Sequence, residues 1–218
     1  MSDNHNPLSE LPVSDRGTRA LDRLKEVFAV TELPAGFQVL AASDNGINDI
    51  YMNLNRQLGD GKLEKGKKLL VAVGAAVTAG SPSAVRFFTQ AAIAAGRTAT
   101  DVVEAISAAT TCTLFNGYYR FRHQVSEADL ATYEAFRAPF NANVFVKPAL
   151  PVDELEAICL GVSSINGCHK CVQGHIEKGK SVGLTDEQID EIIRAASAAF
   201  AAANVASALE GTSAVAPA

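Results

Sequence analysis

The sequence contains no tryptophan, although 48% of its 218 residues are hydrophobic, and alanine recurs in runs such as Ala195-Ala196. Alanine is the strongest helix former and lets helices approach closely. A pattern typical of a sheet is also missing. The single β-like run, Val144 to Val146, has three residues and ends near Pro148. The sequence therefore predicts an all-α fold.

Neither a cluster of basic residues nor a long apolar run is present. The formal net charge is -5, and without a basic patch the chain does not resemble a nucleic-acid binder. No segment reaches the roughly 18 apolar residues that a membrane span needs, and the segment from Met1 to Asp15 is polar rather than signal-like. We therefore expect a soluble cytoplasmic protein that binds neither nucleic acid nor membranes.

Cysteine is also scarce. Four cysteines are too few for a disulfide framework in a chain of this length. In a reducing compartment, a closely spaced pair such as Cys168 and Cys171 indicates either redox catalysis or metal binding. The sequence predicts that Cys112 and Cys159, which lie apart from this pair, are small buried hydrophobic residues.

An internal repeat appears when the chain is compared with itself at an offset of 87 residues. Glycines and helix-capping threonines then coincide, which are residues that mark helix ends. The matched pairs are Gly74 with Gly161, Gly80 with Gly167, Gly96 with Gly183 and Thr98 with Thr185. We predict two copies of a three-helix unit, at about 64–123 and 151–210.

This repeat sets the predicted domain organisation. One all-helical domain spans 17–210, because a chain of this size usually folds as a single domain. The polar or small residues at 1–16 and 211–218 are expected to be flexible.

The second copy carries the chemistry. On a helix, Cys171 lies about 60° and His175 about 20° from Cys168 around the axis, so all three share one face. Gly167 precedes them, so the cysteines are expected at a helix N-terminus, where free N–H groups favour a thiolate. Glu156, on the preceding helix, can orient His175 as a base for a thiol.

The spacing Glu-x11-Cys-x2-Cys-x3-His resembles that of the alkylhydroperoxidase D-like members of the carboxymuconolactone decarboxylase family. The segments Ser163-Ser164-Ile165-Asn166-Gly167 and Tyr118-Tyr119-Arg120 are similar to that family too, and the likeness extends from about Leu58 to Leu209.

The resemblance implies a fold made from a duplicated helical unit, assembled as a homotrimer or a trimer-based hexamer. It also implies reduction of hydroperoxides or recycling of a peroxiredoxin, with no bound cofactor and with electrons from an external thiol or a lipoyl-carrying protein. By position, Cys171 becomes the peroxide-reactive thiol and Cys168 the resolving, more exposed thiol. Glu156 and His175 become the proton relay. The family's best-known members have a histidine directly before the second cysteine, where this chain has Lys170, with His169 one position earlier.

Other interpretations stay open. Zinc could bind Glu156, Cys168, Cys171 and His175. The equivalent residues of the first copy are Leu69, Ser81, Ala84 and Phe88. The unit therefore folds without these polar groups, which argues against a structural metal, and we expect none. A decarboxylase-type lyase acting on a small cyclic acid, and a non-catalytic scaffold, are the alternative functions; neither has a use for an acidic dithiol.

Overall fold

A computed structural model describes residues 7–122, 124–137 and 139–208, and over these ranges the chain forms eleven α-helices and no β-strand. The predicted all-α fold is therefore confirmed. A short 3₁₀ helix (Pro7–Glu10) precedes the α-helices. The α-helices are α1 (Asp15–Phe28), α2 (Ala35–Leu40), α3 (Asp44–Leu58), α4 (Lys65–Thr78), α5 (Pro82–Ala94), α6 (Ala99–Phe121), α7 (Glu127–Glu134), α8 (Asn143–Val146), α9 (Val152–Ile165), α10 (His169–Ser181) and α11 (Asp186–Ala208).

The predicted duplication is confirmed helix by helix. The helices α9, α10 and α11 each begin and end 87 residues after α4, α5 and α6. The turns agree as well, since Gly80 and Gly167 both have a φ of 67°, in the left-handed region that favours glycine. Side chains of Thr98 and Thr185 accept hydrogen bonds at the start of α6 and α11, as the sequence predicts.

The two units pack through their first helices, α4 and α9, with α6 and α11 alongside. Small residues allow the close contact: a Cβ atom added at Gly74 would lie 3.0 Å from Ile158, and one added at Gly161 would lie 3.1 Å from Val71. This four-helix layer forms the centre of the core.

The helices α1, α2 and α3 add a further layer. They pack against α5 and α11, and an aromatic cluster joins them, in which Phe28 and Phe37 contact Phe87 edge to face. Ser14 caps α1, so Asp15 and Arg16 are helical although they belong to the segment 1–16 that the sequence predicts to be flexible. Residues 1–6 and 209–218, which hold the first part of the predicted N-terminal flexible segment and all of the C-terminal one, lie outside the described residues.

The short α8 contains the Val144 to Val146 run that looked β-like in the sequence. Among the helices that the structure describes, none is long and apolar enough to cross a membrane.

The side chain of Glu191 on α11 binds both α4 and the segment that precedes α4. Lys68 Nζ lies 2.7 Å from Glu191 Oε2, and both side chains are largely buried. The same carboxylate accepts hydrogen bonds from the backbone N–H groups of Lys62 and Leu63. Burial raises the pKa of Glu191, but the Lys68 ammonium and the two N–H donors outweigh it and lower the pKa to about 2.

We predict that Glu191→Gln lowers the free energy of unfolding at pH 7 by about 2–3 kcal/mol, because Lys68 then lacks a charged partner. A carboxyl with a depressed pKa stabilises the fold above its ordinary pKa of about 4.3, and this stabilisation is lost as the pH falls through the folded-state value. The difference between the two proteins in urea unfolding should therefore shrink from pH 5 towards pH 2. Glu104→Gln, at the equivalent position of the first unit, is the matched control. An equal loss of stability at pH 3 and pH 7 would contradict this account.

Candidate active site

The turn between α9 and α10 places the two cysteines. Gly167 reverses the chain, and the N–H of Cys168 donates to the carbonyl of Ser163, 3.1 Å away. Cys168 is the capping residue before α10, and Cys171 is its third residue. The two cysteines form a disulfide, with their Cα atoms 5.3 Å apart. Both sulfurs therefore lie at a helix N-terminus, whose positive dipole end favours the thiolate of the reduced form.

The two sulfurs differ in access, and in the opposite sense to the sequence expectation. Cys168 is fully buried, whereas Cys171 is partly exposed. The expectation that Cys168 is the more exposed thiol is therefore wrong for this chain. The capping position faces inward in both units, since the equivalent Ser81 is also buried.

Glu156 on α9 and His175 on α10 form the predicted pair. The Nδ1–H of His175 donates to Glu156 Oε2 at 2.7 Å, with both side chains mostly buried. This bond turns Nε2 towards the protein interior, where it lies 4.0 Å from the sulfur of Cys112. Burial lowers the pKa of His175, but Cys112 and the Glu156 carboxylate raise it overall to about 9.

Cys112 is a site residue that the sequence analysis did not identify. Its sulfur lies 3.3 Å from Ser163 Oγ and 3.5 Å from the carbonyl oxygen of Cys159. The contact with Cys159 lowers the pKa of Cys112 despite its burial, and His175 and Ser163 lower it further. The contact with Cys112 and burial both raise the pKa of Cys159. The interior therefore holds a second pair of thiols, with one sulfur against the histidine.

The sequence does contain a signal for this second pair. Glu156, Cys159 and Ser163 recur at spacings of three and four, so they lie on one face of the helix. Cys112 and Asn116 are four residues apart on α6, and Asn116 Nδ2 donates to Ser163 Oγ at 3.0 Å. The prediction that both cysteines are buried is confirmed.

A cavity of about 510 Å³ opens beside these groups. Cys171 lines it and Cys168 does not. Its walls combine aromatic rings with basic side chains, which suits a small organic molecule with an apolar body and a polar end. The lining residues are Cys112, Phe115, Asn116, Tyr119, Arg122, Phe145, Glu156, Lys170, Cys171, Gly174, His175 and Lys178.

Two contacts hold the turn before α10 against its neighbours. Arg120 of α6 donates through Nη1 to the carbonyl oxygen of Asn166, 2.8 Å away. Lys170 forms an exposed ion pair with Glu134 of α7, at 2.5 Å. Lys170 therefore pairs with Glu134 and also lines the cavity, whereas the neighbouring His169 is exposed to solvent.

The first unit fills the same positions with packed side chains. Leu69 and Phe88, which correspond to Glu156 and His175, are fully buried. The polar side chains of the second unit thus occupy positions that hold buried apolar side chains in the first unit. The backbone of the unit therefore does not require polar residues at these positions.

Comparison with known sequences identifies the family of the duplicated fold. The chain matches the carboxymuconolactone decarboxylase family over residues 45–118 and 131–214, one stretch for each unit. It belongs to the carboxymuconolactone decarboxylase family, and the predicted resemblance is confirmed.

Its curated relatives in bacteria are named alkyl hydroperoxide reductase AhpD. The protein of Anaeromyxobacter dehalogenans strain 2CP-1 is 35% identical over 158 residues, which cover 71% of this chain and 81% of the relative. That of Streptomyces griseus is 30% identical, with coverage of 68% and 82%. That of Bradyrhizobium sp. strain ORS 278 is also 30% identical, with coverage of 67% and 78%.

We predict that Glu156→Gln raises the midpoint of the pH profile for the reaction of the reduced protein with a disulfide reagent. Without the carboxylate, the pKa of His175 falls from about 9 towards its ordinary value of about 6.5. The imidazolium that would stabilise a thiolate on Cys171 is then lost. The Cys171 thiol should therefore approach the ordinary cysteine pKa of about 8.5. The measurement is the second-order rate constant against pH in buffer with a chelator.

Glu177→Gln is the matched control, because Glu177 lies on the same helix and bonds only to the nearby Gln173 among the contacts described. Its profile should overlay that of the wild type. If the Glu156→Gln profile also overlays it, the carboxylate has no part in activating a thiol.

Proposed function

We propose that this protein is a thiol-dependent peroxidase and disulfide oxidoreductase that uses Cys168 and Cys171. The observation that carries the proposal is the position of their disulfide: Cys171 opens onto a cavity that also contains the Glu156–His175 pair. The names of the relatives support the same chemistry.

The oxidative half of the cycle, in which the peroxide oxidises the protein, begins with the thiolate of Cys171. It attacks the terminal oxygen of a hydroperoxide, so an S–O bond forms and the O–O bond breaks. His175 supplies the proton that turns the leaving alkoxide into an alcohol. The Glu156 carboxylate holds the imidazole in place and stabilises its charged form. Cys171 is then a sulfenic acid.

Resolution uses the neighbouring cysteine. The sulfur of Cys168 attacks Cys171, the S–S bond forms, and the hydroxyl group leaves as water with the thiol proton. The chain has lost two electrons, and the disulfide of the structure is restored. An external dithiol, of the lipoyl class, returns two electrons by thiol–disulfide exchange and becomes a disulfide itself. A peroxiredoxin disulfide is the alternative electron acceptor.

The lining of the cavity favours a hydroperoxide whose organic group is apolar. Phe115 contacts both Tyr119 and Phe145, and all three rings line the cavity with Cys171, while the Arg122 guanidinium lies over the Tyr119 ring. A decarboxylase-type lyase is less well supported, because the dithiol would have no role in it.

We predict that Cys171→Ser abolishes consumption of an organic hydroperoxide with dihydrolipoamide as reductant, while the far-ultraviolet circular dichroism stays unchanged. Cys168→Ser should separate peroxide reduction from disulfide formation. This variant keeps the attacking thiol of Cys171 but lacks the resolving thiol. It should therefore react once and accumulate a sulfenic acid on Cys171, which dimedone traps. The measurements are peroxide consumption and the mass of the dimedone adduct.

Undiminished turnover in Cys171→Ser would remove the thiol mechanism. A sulfenic acid on Cys168 in that variant would reverse the assigned roles. Running the same assay with an oxidised peroxiredoxin in place of the peroxide distinguishes the two electron acceptors.

We further propose that the protein assembles as a homotrimer or a trimer-based hexamer. Apolar side chains on the outer face of α6 are exposed, with Val103 at 58%, Leu114 at 47% and Phe121 at 42%. These positions recur at helical spacing, so they form one stripe. Such a stripe is a candidate subunit contact.

We predict a mass in solution of three or six times the 22.9 kDa chain, measured by light scattering at micromolar concentration. Leu114→Glu should lower that mass, because the carboxylate would be buried without a partner. Met52→Glu, at an exposed apolar residue of α3, is the control and should leave it unchanged. A monomeric mass for the wild type would contradict the assembly.

A further inference from the structure

The second pair of thiols forms a compact cluster with the histidine of the relay. The two sulfurs of Cys112 and Cys159 and a ring nitrogen of His175 lie within 4.8 Å of one another. They come from three different helices, α6, α9 and α10. Both cysteines are 1% exposed, so the cluster is held by the packing of the core.

The donor types and their spacing suit a metal ion of the zinc class. Zinc–sulfur bonds of about 2.3 Å and zinc–nitrogen bonds of about 2.0–2.1 Å place tetrahedral ligand atoms about 3.5–4 Å apart. The sulfur of Cys112 lies 4.0 Å from His175 Nε2. Small side-chain rotations therefore close the site, and thiolates with imidazole select zinc over magnesium or calcium.

A second observation points the same way. His175 Nδ1 donates to Glu156, so Nε2 is the ring nitrogen that faces the sulfurs. A carboxylate behind a ligating histidine is the usual support of protein zinc sites, since it fixes the tautomer and makes the nitrogen more basic. Ser163 Oγ, 3.3 Å from Cys112, can donate to the thiolate that metal binding creates.

We propose that Cys112, Cys159 and His175 bind one divalent ion of the zinc class, with a fourth position that opens onto the cavity. Two protons leave to solvent as the metal binds, one from the Cys159 thiol and one shared by Cys112 and His175, so the double charge of the ion is neutralised by two thiolates. His175 binds as a neutral ligand and keeps its Nδ1–H on Glu156. Cys112 and His175 both line the cavity, which gives the ion its path.

This site differs from the one considered for the motif cysteines. It leaves Cys168 and Cys171 free to form their disulfide. One consequence rests on the proposed function: Nε2 of His175 cannot bind a metal and transfer a proton to peroxide at the same time. Metal binding would therefore switch off the relay while the dithiol itself stays intact.

The experiment uses oxidised full-length protein, in which the Cys168–Cys171 disulfide leaves Cys112 and Cys159 as the free thiols of a four-cysteine chain. Cobalt(II) is titrated in without oxygen, and thiolate-to-cobalt absorption in the near ultraviolet and ligand-field bands in the visible are recorded. We expect one cobalt ion per chain, with intense bands typical of tetrahedral geometry, and its displacement by one equivalent of zinc.

Variants then locate the ion. Cys112→Ala and Cys159→Ala should each lower the thiolate-to-cobalt absorption by about half and weaken binding by at least about tenfold. Glu156→Gln keeps all three ligands and should weaken binding by about 10–100-fold through the histidine. The double variant Cys168→Ser with Cys171→Ser is the matched control and should bind cobalt as the wild type does. Cys159→Ser replaces Cys159→Ala if circular dichroism shows that the latter does not fold.

Failure of the oxidised protein to bind cobalt would overturn the proposal. So would unchanged binding in folded Cys159→Ala or Cys159→Ser, and so would loss of binding in the control double variant. None of these measurements uses turnover. A failed peroxidase assay on metal-free protein would count against the proposed function and leave the metal site as it is.

Discussion

The close contact between α4 and α9 fixes the position of the other parts of the structure. A Cβ atom at Gly74 or Gly161 would lie 3.0–3.1 Å from the facing side chains, so a methyl group there would require those side chains to move. The helix α9 carries Glu156 and Cys159, and the short turn after it places Cys168 at the start of α10. A shift of α9 would therefore change the spacing of both thiol pairs together.

Local chemistry explains why so much of the fold could be predicted from the sequence. Ser81, Thr98 and Thr185 mark helix starts because their oxygens accept hydrogen bonds from the first N–H groups. Gly80 and Gly167 mark turns because their backbone has a positive φ. These requirements act over four or five residues, so a single sequence reveals them, and their repetition after 87 residues predicted the duplication.

Contacts between distant segments were harder to predict. The pairing of Glu156 with His175 required only that α9 and α10 form a hairpin, and it was predicted. The contact of Cys112 with both Cys159 and His175 depends on how α6 lies across that hairpin. No local pattern specifies that crossing, and a buried cysteine is equally compatible with apolar packing. The burial of Cys168 was mispredicted for a similar reason, since exposure depends on what packs against the turn.

The burial of Cys168 has a kinetic consequence for the proposed cycle. An incoming reductant can reach only the sulfur of Cys171, and Cys168 must then be the leaving group of the exchange. The oxidant attacks the same sulfur from the same cavity. Electron donor and electron acceptor therefore exclude each other, and the enzyme would alternate between two forms with ping-pong kinetics. Double-reciprocal plots at several reductant concentrations would be parallel, and a high concentration of either substrate would inhibit the half-reaction of the other.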